Sequence, residues 1–208
     1  MKVVQGWCLP DSDSHMEQYF TAVGKPEYQP VHRATAVSYC DKFRVALDIG
    51  AHVGLWARDL TDKFDTVFAF EPCLEYAELL TKNAPMAVVH RCALGSCEKS
   101  VLLETPLDNT GMTHVVRGST GPIPMITLDS LKFFNVDFIK LDVEGYELDV
   151  IKGGINTLRD NDPVIIVEQK EKYAVPEEGP QAALKFLMKE LNYKVIDRVV
   201  DDWILRKL

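Results

Sequence analysis

The chain lacks any long apolar run. The longest stretches, such as Val164–Val167, suit buried strands and are far too short to span a bilayer. It also lacks a basic balance: 23 Lys and Arg stand against 31 Asp and Glu, a net charge of −8. Nucleic-acid affinity comes from neutralising phosphates, so this acidity disfavours an RNA or DNA partner and an anionic membrane surface. The five cysteines (8, 40, 73, 92 and 97) are odd in number and lack zinc-site spacing, which predicts reduced thiols in a cytosolic protein. Cys92 and Cys97 are close enough to pair, but strand and turn packing is the preferred reading. The first residues, MKVVQGWCLPDSDS, hold one lysine and no apolar block, so no secretory signal is expected and the expected location is the cytoplasm. Internal repeats and low-complexity segments are also missing, which excludes a solenoid.

What is present is the composition of a globular fold: 208 residues, 47% of them hydrophobic, enough for one domain with a sizeable core. From Val45 onward strand and helix signals alternate, the pattern of an α/β protein with a parallel sheet covered on both faces. Strands are expected at 44–49, 66–70, 86–91, 136–142 and 164–168, and an antiparallel hairpin at 194–199 and 203–206. Helices are expected at 53–63, 74–83, 147–158 (broken at Gly153 and Gly154) and 181–192, the last with Leu184, Leu187, Met188 and Leu191 inward. Residues 1–42 carry Gly6, Pro10, Pro26 and Pro30 and two short helical signals, near 14–22 and 32–40, with Ser12 or Ser14 as a cap for the first. They form an expected extension that covers a crevice or builds a partner surface, ahead of a main domain at 43–208. Residues 99–125, rich in Gly, Pro and Thr, predict an inserted hairpin beside the crevice.

The chemistry begins at VALDIGAHVG, residues 45–54, and VFAFEP, residues 67–72. The first is an apolar strand followed by a glycine turn and a helix; the second is an apolar strand ending in Glu71 and Pro72. An α/β sheet builds an adenosine-binding crevice this way, with the carboxylate accepting hydrogen bonds from ribose hydroxyls. Dinucleotide sites read G-x-G-x-x-G, whereas Asp48, Gly50 and Gly54 leave no phosphate cradle. S-adenosylmethionine carries no phosphate, and its ammonium and sulfonium charges suit an acid near the turn.

DIGAHVG, VFAFEP, RCALGS (residues 91–96), ITLDSL (126–131) and above all DFIKLDVEGYE (137–147) together resemble the FkbM family of S-adenosylmethionine-dependent methyltransferases. The resemblance runs from about Val45 to Glu168 and implies a Rossmann-like, seven-stranded, mostly parallel sheet, order 3-2-1-4-5-7-6 with strand seven antiparallel. It implies that Asp48, Gly50 and Gly54, with Ala51 and His52 between them, line the methionine end of the cofactor together with Asp142. Glu71 and Pro72 would hold the ribose, and Cys92 and Ala93 the adenine. The family often has Asn where this chain has His52. Known members methylate hydroxyls of polyketides, sugars and related small molecules. The flank GWCLPDSDSH is more similar to members found in phage genomes, which implies a host cytoplasm.

Methyl transfer to an alcohol needs an aligned nucleophile, exclusion of water and a place for one proton. Lys140 and Asp142 lie two apart on a strand and share a face, at the carboxyl end where ligands bind. Glu144 follows on a glycine turn and Glu168 ends the next strand. These residues therefore converge near the expected methyl group, with Asp142 as first candidate for catalysis and Glu144, Lys140 and His114 beside it. By analogy with catechol-type methyltransferases, Asp142 and Glu168 would hold magnesium, joined by His114 or Asn109. The plainer alternative has Asp142 orienting the cofactor and Glu144 and Glu147 capping the following helix. His15 and His32 read as surface or packing residues, His90 as a strand residue near the adenine, and Trp56 as core, while Trp7 could stack a substrate. The expected function is O-methylation of a small-molecule or saccharide hydroxyl. The alternatives are a ribose 2′-O-methyltransferase using Lys140, Asp142, Glu168 and Lys170, an NAD-dependent oxidoreductase, or a non-catalytic cofactor-binding subunit. Oligomeric state is open, since the extension could swap onto a neighbouring subunit.

Overall fold

The computed structural model describes residues 1–107, 109–169 and 179–207. In chain order the elements begin with β1 (Lys2–Val4), β2 (Trp7–Leu9), α1 (His15–Val23) and α2 (Pro30–Val37). They continue with β3 (Val45–Ile49), α3 (Ala57–Leu60), β4 (Thr66–Phe70), α4 (Leu74–Asn83), β5 (Val88–His90) and β6 (Ala93–Leu94). Next are β7 (Lys99–Val101), β8 (Leu103–Glu104), β9 (His114–Val115), β10 (Ile123–Ile126) and β11 (Val136–Leu141). The chain closes with α5 (Glu147–Lys152), α6 (Ile155–Asn161), β12 (Val164–Glu168), α7 (Ala182–Leu191), β13 (Lys194–Val199) and β14 (Asp202–Arg206).

Seven strands form the main sheet in the order β13-β14-β12-β11-β3-β4-β5. Its pairings are parallel from β12 through β11, β3 and β4 to β5, and β14 runs antiparallel to both β12 and β13. Counted along the chain and read from the β5 edge, this is the expected order 3-2-1-4-5-7-6. The central strands are apolar on both sides because both faces are covered, as parallel sheets require. On one face Leu47, Ile139, Leu141 and Ile165 pack under α5, α6 and α7. On the other, Ala46, Phe138, Ile166 and Ile204 pack under Ala36 of α2, Ala57 and Leu60 of α3 and Leu80 of α4.

Several local details differ from the sequence-based expectation. Regular helix covers only Ala57–Leu60, not 53–63, because Gly50, His52 and Gly54 hold φ at 80°, 50° and 92° and delay the first helical turn. Val53, Trp56, Leu60 and Phe64 are nevertheless buried as their spacing demands. Met188 is exposed; it lies about 70° from the middle of the Leu184–Leu187–Leu191 stripe. At the break between α5 and α6 only glycine fits: a Cβ on Gly153 would lie 2.0 Å from the carbonyl oxygen of Gly95. Residues 1–42 contain a β1–β2 hairpin besides their two helices, tied to α4 by Asn83, whose side chain bonds both the N–H and the C=O of Cys8. Neither Ser12 nor Ser14 caps α1; the side chain of Asp13 accepts from Met16 N at 2.9 Å. Between β5 and β11, β8 pairs with β9, and β7, β10 and β6 form a separate three-stranded sheet.

Phe138 is fully buried between the rings of Trp56 and Phe64, at 6.4 and 5.7 Å between centroids. Phe138→Ala should therefore lower the unfolding free energy by about 3–5 kcal/mol in urea denaturation; a loss below about 1 kcal/mol would mean that this face is not packed as described.

Candidate active site

The carboxyl ends of β3, β4, β11 and β12 open into one cavity of about 270 Å³. Its floor is the glycine turn. Gly50 N and Ala51 N donate to the carbonyl oxygen of Phe70, at 3.1 and 3.0 Å, so the turn is pinned to the end of β4. Only glycine fits at position 50, since a Cβ there would lie 1.8 Å from the backbone oxygen of Asp142 and φ is 80°. A second left-handed pair, Glu144 (φ 51°) and Gly145 (φ 99°), follows β11. His52 and Glu144 are thus both non-glycine residues in a sparsely populated backbone region, and both line the cavity. Such strain costs about 1–3 kcal/mol per residue and persists only where surrounding structure enforces it.

Glu71, just beyond β4, is buried with its carboxylate braced by two backbone donors: Cys73 N at 2.8 Å on one oxygen and His52 N at 2.9 Å on the other. Each oxygen keeps a second lone pair for a ligand hydroxyl. Burial pushes its pKa up to about 7, against the pull of the two amides.

Lys140 is the buried cation of the site. Its Nζ donates to the carbonyl oxygen of Gly50 at 2.7 Å and lies 3.4 Å from Asp142 Oδ2 and 3.6 Å from Asp48 Oδ1. Burial opposes its charge, but Asp142 and Asp48 outweigh burial and raise its pKa. For Asp48, fully buried, desolvation outweighs the ammonium and its pKa is raised as well. Asp142, Glu144 and Glu168 each present a carboxylate oxygen within 4.8 Å of the others. Glu147 does not cap α5 as expected: its Oε1 accepts from Val143 N and Gly145 N at 3.1 and 3.0 Å and so braces the turn ahead of the helix, and burial raises its pKa to about 7.

The upper wall comes from segments distant in sequence. Tyr28, His15 and Met16 approach from the N-terminal residues, and the turn at Thr110–Met112 with His114 from the insertion. His114 Nδ1 lies 3.1 Å from the carbonyl oxygen of Met112. Half-buried His52 places its ring 5.0 Å from that of Tyr76, edge-on, with Nε2 2.8 Å from Thr110 Oγ1. Burial lowers its pKa to about 4, so the ring is neutral at pH 7.

Most residues singled out from sequence meet here: Gly50, Ala51, His52, Glu71 and Pro72 on one side, Cys92 and Ala93 beside them, and Lys140, Asp142, Glu144, His114 and Glu168 opposite. Two of the expected cofactor-binding residues do not line the cavity. Asp48 lies beneath the floor, because its side chain shares the inner face with Lys140, and Gly54 packs against α4, where a Cβ would come within 3.3 Å of Leu80. Trp7 is buried behind the hairpin, its Nε1 donating to Pro26 O at 3.2 Å, and stacks no ligand. His114 and Asn109 line the cavity but are not part of the carboxylate cluster. Lys170 lies outside the described residues. Tyr28, Tyr76, Tyr146 and Met16 were not expected at the site, since aromatic and apolar residues carry no pattern that separates lining from core.

Sheet order and crevice together define a Rossmann-like fold with its cavity at the carboxyl ends of the parallel strands. A family model described as the methyltransferase FkbM domain matches residues 48–195, and the chain belongs to that family. A hexuronic acid methyltransferase, AglP, of Haloferax volcanii is 33% identical over 131 residues, 59% of this chain and 54% of the relative. The chain therefore spans about half the length of the curated relative it matches. Among solved structures, a precorrin-8w decarboxylase from Methanobacterium thermoautotrophicum aligns with 99% of this chain and 98% of its own at 12% identity, TM-score 0.53. A TehB-like SAM-dependent methyltransferase from Corynebacterium glutamicum aligns with 91% of each chain at 11% identity, TM-score 0.51. These structural likenesses concern the fold alone.

The buried carboxyl of Glu71 makes a stability prediction. Its folded pKa, about 7, exceeds the ordinary 4.5, so the folded state holds the proton more tightly than the unfolded state. That contribution is complete below pH 4.5 and is lost as pH rises through about 7. Glu71→Gln, which carries no charge, should therefore gain stability relative to the parent between pH 5 and pH 8, by up to about 3 kcal/mol. Denaturation curves at both pH values check this; a constant difference would contradict it.

Proposed function

We propose that the protein transfers a methyl group from S-adenosylmethionine to a sugar hydroxyl. The observation that carries this reading is the crevice itself: an acid braced by two amides at the end of β4 faces a carboxylate cluster at the ends of β11 and β12. Glu71 offers lone pairs for the ribose, Cys92 and Ala93 a flat buried wall for the adenine, and the glycine turn close backbone approach. When bound, the donor supplies an activated methyl carbon next to a sulfonium. The acids around that position complement its positive charge. Asp142, with Glu144 beside it, then accepts the hydrogen bond of the sugar hydroxyl and takes its one proton as oxygen bonds to the methyl carbon and that carbon's bond to sulfur breaks, with Lys140 holding Asp142 in place. The tyrosines and the N-terminal segment exclude water. Support for a sugar comes from the name of the Haloferax relative and from a wall rich in carboxylates and aromatic rings, a surface suited to a polyhydroxylated ring.

A second reading rests on the 4.8 Å convergence of Asp142, Glu144 and Glu168, a donor set that fits magnesium. These three side chains would hold the ion, which would acidify the hydroxyl. Turnover that persists in chelator dismisses it.

Titration calorimetry with S-adenosylhomocysteine should give micromolar binding. Affinity should rise as pH passes through about 7, where Glu71 becomes a carboxylate able only to accept. Glu71→Ala should weaken binding by about 10–100-fold; unchanged affinity would remove the ribose role. Asp142→Asn should lower kcat by at least about 100-fold with the fold intact, judged by circular dichroism; near-normal turnover would move the proton to another group.

A further inference from the structure

Asp13 is fully buried although it lies in the N-terminal segment, outside the residues that match the family. One of its oxygens accepts from Met16 N at 2.9 Å and so starts α1. The other accepts from the hydroxyl of Thr110, itself buried in the insertion. Thr110 Oγ1 in turn lies 2.8 Å from Nε2 of His52. A carboxylate has only lone pairs to offer and a threonine hydroxyl only one proton. That proton goes to Asp13, so the Thr110 oxygen must accept from His52, which fixes the imidazole as the Nε2–H tautomer and leaves Nδ1 as an acceptor. The backbone N–H of the same His52 braces Glu71.

We propose that Asp13 and Thr110 are positioning residues for the methyl-donor site: through one buried hydrogen-bond chain they set the tautomer of His52 and hold the glycine turn in its left-handed shape. The chain joins three segments, around residues 13, 52 and 110, at one point of the cavity wall. It explains how His52 keeps a φ of 50° without being glycine. The neutral state of the ring at pH 7 agrees with this, since a neutral imidazole is the form that a tautomer lock can act on. The ligand in this inference rests on the donor reading above; the tautomer lock does not.

Asp13→Asn separates the two. Asparagine still accepts from Met16 N, so α1 keeps its start, but its amide now donates to Thr110, whose proton turns to His52 Nε2 and forces the Nδ1–H tautomer. The experiment is a long-range 1H–15N correlation spectrum of the full chain, with His52→Gln assigning the signal, beside calorimetry with S-adenosylhomocysteine. The parent should show Nε2–H at His52. Asp13→Asn should show Nδ1–H and bind at least about tenfold more weakly at an unchanged thermal midpoint. With Asp13 in place, Thr110→Ser should keep the parent's spectrum and affinity, and Thr110→Val should lose both. An Nδ1–H tautomer in the parent, or parent-like affinity in Asp13→Asn, overturns the proposal. If the parent itself binds no S-adenosylhomocysteine, the donor reading falls and the assignment to that ligand falls with it, while the spectra alone decide the lock.

Discussion

The structure depends on a buried ion network beneath the crevice floor. Lys140 reaches Asp48 on β3, Asp142 beyond β11 and the carbonyl oxygen of Gly50. These are adjacent parallel strands, with Lys140 opposite Asp48 in register. Desolvating these charges is costly, and the arrangement is stable only because each partner answers the other. Losing Lys140 would leave Asp48 without its cation in the core and drive it further toward the neutral acid, so the network works less as a source of stability than as a condition on the geometry. It fixes the glycine turn relative to Asp142, and everything that lines the cavity is placed from those two points.

Upon that floor the site is assembled from strained and borrowed parts. Two turns in left-handed backbone conformations bring His52 and Glu144 to the rim. Glu71 is held by amides, one of which belongs to His52. The wall above comes from the N-terminal segment and the insertion, which meet at the Asp13–Thr110 contact. A crevice whose floor is rigid and whose wall is contributed by connecting segments is how one fold serves different acceptors: chemistry stays with the strand ends while the acceptor is read by the loops.

The strands and the cavity-facing carboxylates were legible in the sequence because each leaves a local pattern: an apolar run, a terminal acid, a glycine turn; the strand order came from the family resemblance. Thr66–Phe70, Leu74–Asn83 and Val164–Glu168 coincide with their expected bounds. What stayed hidden depends on contacts between distant segments. Asp48 and Gly54 belong to the family's motif yet turn inward, one to Lys140 and one to α4, and a motif alone does not distinguish lining from support. Helix α3 begins late because three alternate left-handed positions, 50, 52 and 54, cannot be read from amphipathic spacing, which places Val53 and Trp56 correctly in the core but not in a helix. Asp13 resembled one more polar residue in a polar run, and its burial follows only from Thr110, 97 residues away.

The central claim is that the crevice between Glu71 and the carboxylates of Asp142, Glu144 and Glu168 holds the methyl donor. A crystal structure with S-adenosylhomocysteine and no acceptor tests it most directly. The account predicts both ribose hydroxyls on Glu71, the adenine against Cys92 and Ala93, and the sulfur facing Asp142. Density for the ligand elsewhere, or with its ribose turned away from Glu71, would contradict it.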